Sequence, residues 1–236
     1  MPTSVSSAPA GTILLIGASR GLGLAIAAEF VKKGWNVVGT VRGGGSRTKL
    51  RDLADASEGR VEIETLDICE PDQVAALRDR LSGRVFDMLF VNAGVTNNPA
   101  ETIADVTTEE FIRVMVTNAL SPMRVIESLE QYVPATGLIG VMSSGQGSIA
   151  NNESGQREVY RGSKAAPNMF MRSFAARRPS RAMVTMAPGW VRTELGGPDG
   201  RLSIEESIPS LVNVLLSKQG TPGLHYVDYL GRTVPW

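Results

Sequence analysis

The chain has 236 residues, 24 basic and 24 acidic side chains, a formal net charge of zero and a single cysteine. A chain of that length buries most of the surface its unfolded form exposes, so it needs neither metals nor disulfides to hold it, and one cysteine excludes an internal bridge and fits a reducing cytosol. The balanced charge leaves no basic footprint for nucleic acid or for a membrane surface.

The first eleven residues, MPTSVSSAPAG, carry no charged side chain and are rich in Ser, Ala and Pro. They lack the positive start and apolar core of a secretory signal, so 1–11 is expected to be a disordered leader and 12–236 one domain. No run approaches the length of a transmembrane helix, and a soluble, cytoplasmic protein is expected. Short apolar runs then recur: TILLIG (12–17), NVVGTV (36–41), VEIETLDI (61–68), FDMLFVNAG (86–94), GLIGVMSS (137–144), AMVTMAPG (182–189) and GLHYVDY (223–229). Most are continuous rather than alternating, as expected of strands buried on both faces of a parallel sheet. Segments with helical spacing lie between them. GLGLAIAAEFVKKG (21–34) ends in two lysines and a glycine, and PDQVAALRDRLSG (71–83) opens on Pro and closes on Gly, both fitting helix boundaries. TTEEFIRVMVTNALSPMRVIESLEQYV (107–133) is long enough to cross a whole sheet. Strand and helix alternating in this way predict a doubly wound α/β sheet.

The first strand leads directly into Gly17-Ala18-Ser19-Arg20-Gly21-Leu22-Gly23 and then into a helix. Glycines there let the backbone turn sharply against a pyrophosphate, and the helix N-terminus offers free N–H groups and a positive dipole end. The second strand ends Thr40-Val41-Arg42, without the acid that usually accepts from the ribose 2′-hydroxyl at an NAD site. Arg42 and Arg20 suit a 2′-phosphate instead, with Arg47 and Lys49 adding to the field. NADPH is therefore expected over NADH.

The G-x-x-x-G-x-G spacing, Asn92-Ala93-Gly94, Asn118, Tyr160-x-x-x-Lys164 and Pro188-Gly189-x-x-x-Thr193 follow one another in that order. Together they resemble the short-chain dehydrogenase/reductase family over nearly the whole chain. The stretches YRGSKAAPNM and YVDYLGRTVPW resemble more specifically its C-factor-like and sniffer-like carbonyl reductase branch. The resemblance implies a single Rossmann-type domain of about seven mostly parallel strands with helices on both faces. It implies cofactor contacts from Gly17, Ser19, Arg20, Gly21, Leu22, Gly23, Arg42, Asp67, Ile68, Asn92, Ala93, Gly94, Tyr160, Lys164, Pro188, Gly189, Val191 and Thr193, with Asp67 against adenine. It implies a catalytic set of Asn118, Ser144, Tyr160 and Lys164, and no metal. Lys164 would also hold the nicotinamide ribose, and Asn118 would support a water linking that lysine to solvent.

The chemistry expected of this set is reduction of an aldehyde or ketone. A free phenol has a pKa of about 10, residues i and i+4 share a helix face, and an ammonium beside a phenol favours its anion. Tyr160 would then act as general acid/base and Ser144 would donate to the carbonyl oxygen. Ser144 fits the family's S-x-x-G pattern sixteen residues before Tyr160, Ser148 is the rival twelve before it, and NNESGQ between them is expected to bulge outward. Pro167 removes the N–H that would bond the Ser163 carbonyl and predicts a kink near Lys164. The short glycine-rich segment after Thr193 predicts an open pocket for a bulky or apolar carbonyl, with Val95, Gln146, Ile149 and Trp190 as candidate lining. Cys69 and His225 read as structural. AAPNMFMRSFAA (165–176) is apolar over much of its circumference, which suits either core or a homodimer contact. The alternative function is an NADP(H)-binding regulatory protein with little activity, against which the intact Ser-Tyr-Lys-Asn set argues. An epimerase or dehydratase would bring a longer C-terminal region than the 43 residues after Thr193.

Overall fold

Each apolar run becomes a strand: β1 (Thr12–Ile16), β2 (Asn36–Val41), β3 (Val61–Thr65), β4 (Met88–Val91), β5 (Leu138–Met142), β6 (Ala182–Ala187) and β7 (Gly223–Asp228). The computed structural model describes residues 10–43 and 47–236, so the expected leader lies outside the described residues for 1–9. The strands form one sheet in the order β3-β2-β1-β4-β5-β6-β7, and every pair is parallel. Several runs outlast their strands at the carboxyl end, where Gly17, Asn92, Ser143 and Pro188 leave the ladder to form loops along one edge.

Helices α1 (Gly21–Lys32), α2 (Lys49–Ala56) and α7 (Ile204–Lys218) cover one face, while α3 (Pro71–Arg80), α4 (Thr108–Met115), α5 (Ser121–Leu129) and α6 (Glu158–Arg177) lie on the other flank. Strand side chains alternate between faces. Ile13 and Leu15 accordingly join Ile26, Phe30, Leu211 and Leu215, whereas Leu14 and Ile16 join Leu77, Ile126, Leu129 and Phe174. Each such fully buried side chain contributes roughly 1.5–3 kcal/mol. The short α2 went unread in the sequence because KLRDLADA buries only Leu50. Ser203 caps α7 by accepting from Glu206 N at 3.2 Å while its own N–H donates to Glu206, a reciprocal cap. Among the described residues, no helix is long and apolar enough to cross a membrane.

The segment expected as one helix over 107–133 is instead α4, a π turn over Val116–Leu120 and α5. The reason lies in Pro122, which has no N–H to give the carbonyl of Asn118 four residues earlier; the Ser121 N–H reaches back five residues to Val116. Pro167, by contrast, is accommodated in an unbroken α6 and buried there. Of the apolar set in 165–176, Met171 and Phe174 are core, and Met169 and Phe170 face outward.

Candidate active site

The strand order reverses between β1 and β4, and in doubly wound sheets ligands bind at such a switch point, beyond the carboxyl ends of the strands. The loops leaving those two strands meet there. Asn92 and Ala93 donate backbone N–H bonds to the Ile16 carbonyl at 2.9 and 3.1 Å, and Asn92 Nδ2 donates to the Gly17 carbonyl at 2.8 Å. From β2, Thr40 Oγ1 accepts from Gly17 N at 2.9 Å. Gly23 sits under this turn so tightly that a Cβ there would lie 2.0 Å from the Gly17 oxygen. Arg20, the N-cap of α1, makes no side-chain cap, so the first-turn N–H groups keep donors to offer an anion.

A cavity of about 1230 Å³ opens above these loops. All residues expected at the cofactor line it except Gly23, which packs beneath the turn. Arg42 and Lys49 stand at its rim beyond β2. Arg20 makes an exposed pair with Glu194 at 2.9 Å, while Arg47 is held by Asp52 and Asp55 and does not line the cavity. Asp67 accepts from Cys69 N at 2.9 Å, and its own N–H donates to Gln73 Oε1 at 2.8 Å. Cys69 is half-buried in the same wall, 3.3 Å from Thr117 Oγ1.

At the cavity floor lie Tyr160 and Lys164, 8 % and 4 % exposed and one turn apart on α6. Burial pushes the Tyr160 phenol up, and a hydrogen bond with the Ser144 side chain and the nearby Arg157 guanidinium pull it back down. Lys164 Nζ donates to the Met142 carbonyl at 2.9 Å and stands 6.0 Å from the Tyr160 ring centre. Burial pulls its pKa down to about 8. Asn118 is behind the cavity wall, not in it. The π turn aims its amide at the loop after β4: Oδ1 accepts from Val95 N, and Nδ2 donates to the Val95 carbonyl, each at 2.8 Å. Nδ2 also donates to Ser163 Oγ at 2.8 Å, and Ser163 Oγ donates to the Tyr160 carbonyl at 2.8 Å. Asn118 thus ties α6 to the loop after β4.

The three serines separate clearly. Ser143 Oγ is buried and donates to Asn168 Oδ1 at 2.8 Å. Ser148 is 1 % exposed, accepts from Asn151 N at 3.1 Å and does not line the cavity. Ser144 lines the cavity, and of the three it alone has a side chain that draws the Tyr160 phenol down. The residues between, 149–156, are exposed. Val95, Gln146 and Trp190 line the cavity, but Ile149 is 77 % exposed and outside it, because the bulge carries it away. His225 lies in β7 and is not part of the wall.

Two contributors were not visible in the sequence. The Tyr226 hydroxyl donates to the Ser144 carbonyl from β7, and its ring, 2 % exposed, packs against Trp236 at 5.1 Å. Arg157, preceding α6, lines the cavity with its Cζ 5.0 Å above the Tyr160 ring. Neither sits in a recognisable motif, and only the fold brings them to the serine and the tyrosine.

Residues 11–201 match the family model for short chain dehydrogenases. The structure is similar to the crystal structure of a short-chain dehydrogenase/reductase from Burkholderia multivorans with bound NADP, at 67 % identity, with a TM-score of 0.95, 97 % of this chain and 100 % of that one covered. It is similar to a carbonyl reductase from Pseudomonas aeruginosa PAO1 in complex with NADP, at 31 % identity and a TM-score of 0.87, covering 96 % and 100 % of the two chains. The C-signal protein of Myxococcus xanthus is 34 % identical over 154 residues, 64 % of this chain and 92 % of that protein.

Proposed function

Because the chain belongs to the short-chain dehydrogenase family, we propose that it is an NADPH-dependent oxidoreductase that reduces an aldehyde or ketone to the alcohol, with Tyr160 as general acid. The observation that carries this reading is the cavity floor itself. A buried phenol there has the Ser144 side chain and the Arg157 guanidinium beside it, both drawing its pKa down against burial, and stands one helical turn from a buried lysine. The cavity fits the cofactor: its glycine turn, uncapped helix start and Arg42 and Lys49 at the rim suit a diphosphate and a 2′-phosphate. NADP in the Burkholderia and Pseudomonas structures supports the same choice.

When bound, NADPH supplies the hydride. Ser144 donates to the substrate carbonyl oxygen, where negative charge grows during reduction. Tyr160 delivers the proton to that oxygen, and the phenolate left behind is stabilised by Arg157 and by protonated Lys164. Asn118 acts as a positioning residue, through its bonds to Val95 and Ser163. Oxidation of an alcohol runs the same steps backwards.

A panel of aldehydes and ketones, with NADPH consumption followed optically, tests the reading. Bound NADPH with no turnover of any carbonyl would favour a regulatory protein instead. Within an active enzyme, Ser144→Ala should lower kcat by about 10²–10³-fold, the loss typical of one oxyanion donor, and Ser148→Ala by far less. A larger loss in Ser148→Ala would reverse the assignment. The rim charge is tested separately. Arg42→Asp should cut the preference for NADPH over NADH at least about tenfold, since one charge-assisted bond is lost and a repulsion gained. An unchanged preference would show that the 2′-phosphate is held elsewhere.

A further inference from the structure

Stabilising the phenolate accounts for only part of the place Arg157 has in the cavity. It is one of two non-glycine residues with positive φ among the described residues, at φ 60° and ψ 43°. A side chain held in that region costs about 1–2 kcal/mol, and here it turns the chain from the exposed bulge into α6. The guanidinium lies over Tyr160 at 5.0 Å, and its Nη2 donates to Thr96 Oγ1 at 3.3 Å. Its Nε is buried with no partner, which is costly for a charged donor. None of the ion pairs among the described residues includes it.

The neighbouring charges are all committed elsewhere. Arg113 also reaches Thr96, at its carbonyl, but is neutralised by both carboxylate oxygens of Glu110 at 2.6 Å. Glu158, next in sequence, accepts from the Ile103 N–H, and Arg161 turns away to the Gln156 carbonyl and Ser154. Lys164 is turned to the Met142 carbonyl. Arg157 is therefore an uncompensated cation in the cavity wall, beside the phenol. Gln146 lines the same cavity, and its side-chain oxygen is also buried without a partner; turned over, its amide would add a donor.

Building on the reductase reading, we propose that Arg157 is a substrate-binding residue that selects carbonyl compounds bearing a carboxylate close to the reacting carbon, as in an α- or β-oxo acid. Arg is suited to this because its planar fork grips both oxygens of a carboxylate. The open pocket expected for a bulky, apolar carbonyl thereby acquires a cationic anchor point on the Tyr160 side.

The test compares phenylglyoxylate with its ethyl ester, and mandelate with ethyl mandelate as unreactive ligands of the enzyme–NADPH complex. The unmodified enzyme should prefer the acid in kcat/KM by about 10- to 100-fold, the worth of a hydrogen-bonded charge. In Arg157→Gln the acid-to-ester ratio should fall towards one, and Arg157→Lys should keep part of it. An ester reduced as well as the acid by the unmodified enzyme, or a ratio unmoved in Arg157→Gln, overturns the proposal while leaving carbonyl reduction standing. If neither compound is reduced although NADPH binds, the wider carbonyl panel decides the reductase reading and calorimetry decides the site. Mandelate binding weakened in Arg157→Gln then supports it, and binding that is absent or unaffected overturns it.

Discussion

Tyr160→Phe should lower kcat for carbonyl reduction by about 10²–10⁴-fold, the usual contribution of a positioned acid, with NADPH affinity changed little. The substitution removes one oxygen and keeps the ring that Arg157 and Lys164 face at 5.0 and 6.0 Å, so packing at the cavity floor survives. The pH profile of the unsubstituted enzyme follows from the same groups. A reducing enzyme needs the phenol protonated, and burial pushes that group up, so the tyrosine holds its proton throughout the neutral range. Lys164, pulled down to about 8, is cationic below that pH and neutral above it. Reduction should therefore be flat at neutral pH and decline as pH rises past about 8, where the charge that stabilises the phenolate is lost. A Phe variant that keeps a tenth or more of the parent's turnover would remove Tyr160 from the proton path.

Gly23→Ala should be the most damaging single methyl in the nucleotide half. The added carbon would lie 2.0 Å from the Gly17 carbonyl oxygen and 2.6 Å from Asn92 Nδ2, and the first of these is backbone. Relief requires the glycine turn to move away from α1, which also breaks the Asn92 bond to Gly17 at 2.8 Å. Overpacking of this kind costs roughly 1–3 kcal/mol or more, a fall in Tm of about 2–4 °C for each kcal/mol in a chain of this size. Added NADPH should raise the melting temperature of the parent and not that of the variant. Gly21→Ala is the control: its methyl meets nothing within 4 Å, and only its φ of 54° resists the change. Equal melting temperatures for the two variants would show that relieving the Gly23 clash costs no more than the strain of an alanine at the left-handed Gly21 position.

Periodicity made the sheet legible because strands buried on both faces leave continuous apolar runs. The run 36–41 coincides with β2, and the run 61–68 overshoots β3 by three residues. The overshoots are informative, since residues after β1, β4, β5 and β6 quit the ladder to line the cavity. The helical segment 107–133 reads as continuous because hydrophobic spacing persists across the π turn, and only Pro122, four residues after Asn118, betrays the change of pitch. The glycine turn and the Tyr160–Lys164 pair, which the fold brings to one cavity, are legible in the sequence because their spacing is local. Arg157 and Tyr226 are not: one depends on a left-handed backbone angle, the other on contact between residues 82 positions apart.

That contact from Tyr226 makes the serine loop answerable to the edge of the sheet. β7 is the edge strand: its one strand partner is β6, and among the described residues its outer side bonds only those that follow it, Val234 N donating to the Tyr226 carbonyl at 2.9 Å. Its departure displaces no other strand, and local opening of a protein draws on such peripheral units. A molecule with β7 transiently detached would keep the glycine turn between β1 and β4 intact yet lose the anchor on Ser144. On the proposed reading, nucleotide binding would rest on the central strands, while the placing of Ser144 would depend on the outermost strand staying docked.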